Sequence, residues 1–372
     1  MRQTKTKNAE ILPPRALNRA LLARQMLLER AAMSPAAAIE HLVGMQAQVP
    51  NDPYFGLWSR LADFDPLALS ALIKSRKAAR IAVMRGTLHL VSARDALTMR
   101  AWVQPVLTRT LVATEWGKKT RGVDIDALVA AGRAAVEGRP STLAELRPVF
   151  ASAFPRYDAT ALSWAFHYSA PLVQVPPRGL WGEGGLPRVT TIETWLKKAQ
   201  GTPSTEKMVL RYLAAFGPAS VMDMQAWSGL TKLLPVFETL RPKLATFRDE
   251  TGRDLFDLPD APRPDPDTPA PPRFLPVYDN ATLGFANRDR ILGLAPPRAV
   301  PQNLNVRAFL IDGFVAGFWK VEEENDRATL TLEPFAALAK KDQRALTAEG
   351  RTLLAFAAPG AAKTGVRFGR VY

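Results

Sequence analysis

The stretch GPASVMDMQAW, residues 217–227, combines a chain stop with a helix start. Ser220 stands three residues ahead of Asp223, the spacing at which hydroxyl and carboxylate cap each other's backbone N–H groups at a helix N-terminus. Upstream, EKMVLRYLAAF (206–216) repeats apolar residues at steps of three and four, which predicts a preceding helix. Downstream, KLATFRDETGRDLFDLP (243–259) sets two extended runs around a glycine-containing turn, which predicts a hairpin. Helices followed by a hairpin make the winged-helix form of the helix-turn-helix.

The same order occurs twice more upstream. NRALLARQMLLERA (18–31) leads to MSPAAAIEHL (33–42), where Ser34 can cap and Pro35 takes the first helical position, and then to the hairpin candidate ARIAVMRGTLHLV (79–91). DALVAAGRAAVEG (126–138) leads to RPSTLAELRPVF (139–150), with Thr142 and Glu145 as a capping box, and then to PLVQVPPRGLWGEGGLPRVTT (171–191). The expected architecture is therefore α+β and mainly α, with three tandem winged-helix units over 1–122, 123–200 and 201–259. DAPRPDPDTPAPPR (260–273) reads as a proline-rich linker or ordered strap. From 274 to 372, alternating apolar positions around Asp312-Gly313 and a final helix near 335–357 predict a small β-rich module. The whole is expected to be a C-shaped body.

Composition narrows the chemistry. The chain has 372 residues and no cysteine, which removes disulfides, thiolate metal sites and cysteine nucleophiles. Three scattered histidines (His41, His89, His167) suggest no metal cage, so neither a metal nor a cofactor is expected. No run of eighteen apolar residues occurs, and the N-terminus lacks the apolar centre of a secretory signal; a cytoplasmic protein without a membrane partner is expected. The formal charge of +14 points to a polyanion. Between Lys74 and Arg121, eleven Lys and Arg face only Asp95 and Glu115, which predicts a basic surface lining the inside of the body.

HLVGMQAQVPNDP (41–53) carries the most pointed signal. On the helix opened by Ser34, the apolar stripe Ile39, Leu42, Val43 continues to Gln46, with Gln48 two residues beyond and the helix expected to end near Pro50. Departure from the helical period brings both amides toward one cleft. An amide there serves either as a satisfied helix end or as a holder of water beside a developing cation, because glutamine is no general base at neutral pH.

LVGMQAQVPNDPYFGLWSRL, VMRGTLHLVSARDA, LVQVPPRGLW, GPASVMDMQAWSGL and PVYDNATLGFANRDRIL together resemble the signatures of the AlkZ/YcaQ-like winged-helix DNA glycosylases, from about Leu17 to the C-terminal sheet. Gln46-Ala47-Gln48 matches the family's catalytic Gln-hydrophobic-Gln motif, on the branch with glutamine at both places. Phe285 and Asn287 depart from the histidine and aspartate found there in many relatives. The resemblance implies a monofunctional glycosylase, without cofactor, that excises N7-alkylated purines, including bulky or crosslinked adducts, from double-stranded DNA. A monomer used on the bacterial nucleoid is expected. An already cationic base leaves without protonation, so weak catalytic groups suffice and unmodified bases are spared.

Other residues read two ways. Arg85, at the predicted first wing, suits a phosphate contact, and His89 either joins it or is a satisfied strand histidine. Lys118 and Lys119 follow Trp116 at a helix end within reach of DNA; Arg178, on a proline-stiffened turn beside Trp181, is a phosphate clamp or part of a packed loop. Arg288, in the C-terminal signature, is a further DNA-binding candidate. Asp279-Asn280 reads first as turn chemistry. The alternative function is a DNA-binding or regulatory protein using the same folds without chemistry.

Overall fold

The computed structural model describes residues 10–293, 295, 300–301 and 305–371. The first nine residues of the expected 1–122 unit, and residues 294, 296–299, 302–304 and 372 of the 274–372 module, lie outside the described residues.

All three anticipated caps are made. Ser34 Oγ accepts from Ala37 N at 3.2 Å and opens Pro35–His41. Thr142 Oγ1 accepts from Glu145 N at 3.2 Å while Thr142 N donates to Glu145 Oε2 at 2.7 Å, and after one turn the helix Arg147–Ala153 follows. Ser220 and Asp223 exchange bonds of 3.2 and 2.9 Å at the start of Val221–Ser228. The helices ahead of them are Pro14–Arg24, Ile125–Gly138 and Thr205–Phe216. The first is displaced from the expected 18–31: Pro14 supplies its first turn, and Met26, at φ 56°, ends it. After the turn Met26 and Leu27 enter two different apolar clusters.

The three hairpins also form, pairing Ala78–Ala82 with Leu88–Ser92, Leu172–Gln174 with Val189–Thr191, and Ala245–Asp249 with Asp254–Asp257. The first two are not separate wings, as a strict tandem of units would have them. Arg80 pairs with Gln174 and Ile81 with Val173, so both hairpins enter one five-stranded antiparallel sheet whose outer strand is Met45–Gln46. The third hairpin instead takes Ile11–Leu12 as a parallel neighbour.

The proline-rich segment lies along the first helix as a strap. Proline removes backbone donors but leaves carbonyls, and arginines of that helix use them: Arg15 Nε reaches Pro266 O at 2.8 Å, Arg19 Nε Thr268 O at 2.7 Å and Arg24 Nη2 Pro262 O at 3.2 Å. The C-terminal sheet follows, ordered 363–368, 327–334, 314–324, 308–311 and 273–274, with Asp312-Gly313 turning at φ 47° and 82°. Its helix is Lys340–Ala357, shorter than expected. The last strand, Lys363–Phe368, pairs parallel with Arg327–Leu332 and is not foreshadowed by the sequence, where only Val366 and Phe368 are large apolar residues.

The largest apolar cluster takes Leu21, Val43, Ile81, Val173, Tyr212, Trp227, Phe285 and Phe318, so one core runs through residues of every expected unit. Among the described residues no helix is long and apolar enough to cross a membrane.

Candidate active site

The helix opened by Ser34 stops at His41, well before Pro50, so Gln46 is not on a helical stripe. Val43 N bonds to Glu40 O and Gly44 N to Ile39 O, at 3.2 and 2.9 Å, the paired bonds of a Schellman closure. Its left-handed position is filled by Val43 at φ 55°, a costly conformation for a β-branched residue, and Gly44 follows at φ 92°. A Cβ on Gly44 would lie 2.6 Å from Val91 Cγ1, so glycine allows the chain to reach the neighbouring strand. There Met45 pairs with Leu90, Gln46 with His89, and Ala47 N donates to Leu88 O at 2.7 Å.

This change of element decides where the amides point. Two residues apart, they diverge on a helix but share a face on an extended chain. Gln46 and Gln48 accordingly line one cleft of about 980 Å³, together with Arg80, Thr87, Trp164, His167, Tyr168, Gln174, Arg178 and Tyr278. Ala47, between them, is fully buried on the opposite face.

Gln46 is 8% exposed and held from behind. Arg85 Nη2 donates to its Oε1 at 2.9 Å and also to Asn280 Oδ1 at 2.9 Å, while Arg85 Nη1 donates to Trp227 O at 2.6 Å. Asn280 Nδ2 donates to Gly44 O at 3.3 Å. Next to it, Arg60 grips both carboxylate oxygens of Asp279 at 2.8 Å. A chamber with about 10 Å³ of space for water centres, room for about one molecule, adjoins Gln46, Asp52, Arg60, Asp279 and Asn280. Gln48 is exposed, its Oε1 making only a long 3.4 Å contact with Leu88 N.

The carboxylates that line the cleft and the chamber are committed. Glu145 is bound by both arms of Arg188, at 2.7 Å each, Asp52 by Arg307 at 2.7 Å and Val277 N at 2.9 Å, and Asp279 by Arg60. The site therefore offers neutral amides and cations rather than a free carboxylate base.

Several expectations for DNA contacts are corrected by placement. Arg85 does not project from a wing; its guanidinium is turned inward onto Gln46, Asn280 and Trp227, and burial pushes its pKa down to about 10. His89 is fully buried and its Nδ1 faces Thr87 O at 3.0 Å; burial, then the charge of Arg85, pushes its pKa down to about 3, so it is neutral and out of a phosphate's reach. The basic run is only partly a surface. Arg80 is 2% exposed and donates to Ala47 O at 2.8 Å, and Arg100 donates to Tyr168 O and Ala170 O at 3.0 and 2.9 Å. Lys118 pairs with Glu115 at 2.6 Å, and Lys119 lies 5.9 Å above the Trp116 ring, both on the exposed short helix Glu115–Lys119 away from the cleft lining. Arg178 does line the cleft, steadied by Gly185 O at 3.1 Å. Arg288 is half-buried at the start of Asp289–Leu292 and outside the cleft lining; desolvation lowers its pKa. Phe285 is buried under Arg290, whose guanidinium lies 4.2 Å from the ring, so its side chain belongs to the core.

Sequence reasoning underrated two residues. Asn280 reads locally as a turn residue, and its bond to Arg85, 195 positions away, leaves no local trace. Arg80 reads as one more surface cation, although its place in the apolar alternation of ARIAV marks a sheet residue.

A basic helix-and-hairpin body with an amide-lined cleft is suited to acting on DNA without a strong protein base. The family model described as DNA glycosylase AlkZ-like matches residues 39–356. The chain belongs to the AlkZ-like DNA glycosylase family and is a DNA glycosylase of DNA repair. Among solved structures, Streptomyces sahachiroi DNA glycosylase AlkZ has the same fold, with a TM-score of 0.73 and 20% identity over 96% of this chain and 100% of that one. No curated protein sequence matches.

Proposed function

We propose that this glycosylase is monofunctional and hydrolyses the N-glycosidic bond of N7-alkylated purines in double-stranded DNA, with Gln46 and Gln48 as its catalytic pair. The observation that carries the reading is the placement of two amides, one residue apart, in the lining of one cleft whose carboxylate, Glu145, is ion-paired to Arg188, as are Asp52 and Asp279 of the adjoining chamber to Arg307 and Arg60.

Such a site suits a base that is already a cation. The C1′–N9 bond breaks with its electron pair passing to N9, which leaves a neutral N7-alkylguanine. A water oxygen bonds to C1′, and the proton it sheds goes to solvent, since neither amide can take it. The pair positions the water and the sugar, which is where catalysis is needed once the leaving group is activated. A cleft of about 980 Å³ is large for one purine and is compatible with bulky adducts or one side of a crosslink.

Within the proposal the three helix-and-hairpin units bend the body around the duplex, with exposed Lys118 and Lys119 and half-buried Arg178 on phosphates, and the chain works as a cytoplasmic monomer. Family membership favours this over the purely DNA-binding alternative.

The test is single-turnover excision of N7-methylguanine from duplex DNA. Gln46→Ala and Gln48→Ala are each expected to slow it by about 10²–10³-fold, with undamaged duplex bound within twofold of wild type. Gln48→Asp keeps an acceptor and is expected to stay active. Wild-type rates in both alanine variants would overturn the assignment.

A further inference from the structure

The guanidinium of Arg85 donates and cannot accept, so the Gln46 atom that faces it at 2.9 Å is the carbonyl oxygen. With Oε1 turned onto Arg85, Nε2 is the amide atom left for the cleft and the chamber that Gln46 lines. An amide that meets the reaction through N–H is a donor, opposite in polarity to a carbonyl that holds a water proton or faces a cation. Gln48 differs, because its oxygen is spent on nothing better than a 3.4 Å contact.

The arrangement that fixes Gln46 is assembled from three distant regions. Arg85 sits in a hairpin tip at φ 57°, Trp227 lies in the last turn of the helix Val221–Ser228, and Asn280 opens Asn280–Leu283. Asn280 is placed in turn by its bond to Gly44 O and by Asp279, which caps Ala281 N at 2.8 Å and is clamped by Arg60. Gly229 closes the other side; a Cβ there would come within 3.2 Å of Arg85 Cα. No carboxylate hydrogen-bonds to Arg85 among the described contacts, so its charge is directed onto two amide oxygens and one backbone carbonyl.

We infer that Arg85 and Asn280 are positioning residues that lock Gln46 with its Nε2 toward the reacting centre, so that the two glutamines split their work: Gln46 donates a hydrogen bond to the oxygen of the attacking water, and Gln48 accepts one from its proton. The inference rests on the glycosylase reading of the pair. It goes beyond that reading by giving each amide a polarity and assigning the orientation to a residue whose sequence context pointed to phosphate.

Single-turnover excision of N7-methylguanine at neutral pH, with duplex affinity measured in parallel, tests it. Gln46→Glu is the decisive variant: it retains an oxygen for Arg85 but turns a second acceptor, not a donor, to the cleft. It is expected to be as slow as Gln46→Ala, about 10²-fold below wild type. Arg85→Met is expected to lose about tenfold or more with duplex affinity nearly unchanged, Arg85→Lys to recover part of that, and Arg85→Met combined with Gln46→Ala to be no slower than Gln46→Ala alone. A Gln46→Glu enzyme close to the wild-type rate would show that the first glutamine acts as an acceptor and overturns the inference while leaving the glycosylase reading intact. Strict additivity of the Arg85 and Gln46 variants also overturns it. Wild-type activity in Gln46→Ala would remove both readings. Where Arg85→Met does not fold, Gln46→Glu decides alone, because it keeps the Arg85 bond.

Discussion

The tip of the first hairpin, Met84-Arg85-Gly86, is folded into the protein, whereas that of the third, Glu250-Thr251-Gly252, stands in solvent. In the first, Arg85 reaches Trp227 O and Asn280, and Leu107 and Thr110 lie beside Gly86. In the third, Asp249, paired with Leu12 of the neighbouring strand, collects Thr251 and Arg253 into a knot of bonds within the turn. Equivalent local signals thus yield one turn that supports the active site and one that only closes a strand pair. What separates them is the company each tip finds: Arg85, left-handed at φ 57°, meets acceptors from two other elements.

The comparison can be tested away from the catalytic atoms. The largest effect is expected at the base of the third hairpin, where Asp257 is fully buried between Arg24, at 2.6 and 2.8 Å, and Arg263, at 2.6 Å. Asp257→Ala leaves two cations facing a void and is expected to cost about 3–5 kcal/mol in urea unfolding. A loss below about 1 kcal/mol would show that this hairpin is held by its apolar face alone.

A smaller effect is expected in the first hairpin on acidification. The folded-state pKa of His89 lies near 3, below the ordinary 6.5, so the unfolded chain binds the extra proton. The stability due to keeping it neutral is complete above 6.5 and is lost as pH falls from there toward 3. By pH 5 the loss is about 2 kcal/mol. His89→Gln should flatten that part of the stability profile; an unchanged acid slope would mean that other groups set it.

The smallest effect is expected at the third tip. Glu250→Ala should change stability by less than about 0.5 kcal/mol and excision by less than twofold, against the large loss expected for Arg85→Met. A loss at Glu250 as large as at Arg85 would erase the difference between the tips.

The parts of the fold legible in the sequence are those made within a few residues. Ser34, Thr142 and Ser220 cap helices because hydroxyl and N–H are three positions apart whatever surrounds them. The hairpins follow from turns and alternation, and so does the Asp312-Gly313 turn. The Gln46-Ala47-Gln48 motif was visible too, but on the wrong element. Its helix closes on Val43, where a Schellman turn ordinarily carries glycine, and the strand that replaces it has only two residues.

Sequence by itself determined the caps, the turns, the basic balance and the presence of two neighbouring amides, because each depends on residue type and short spacing. Tertiary structure alone decided that the amides share a face, that Arg80, Arg85 and Arg100 turn inward, and that two hairpins merge into one sheet. Those outcomes turn on partners 33 to 195 positions away, such as Ala47 for Arg80 and Asn280 for Arg85. A guanidinium buries only where such acceptors converge to replace its water, and no local pattern records that convergence.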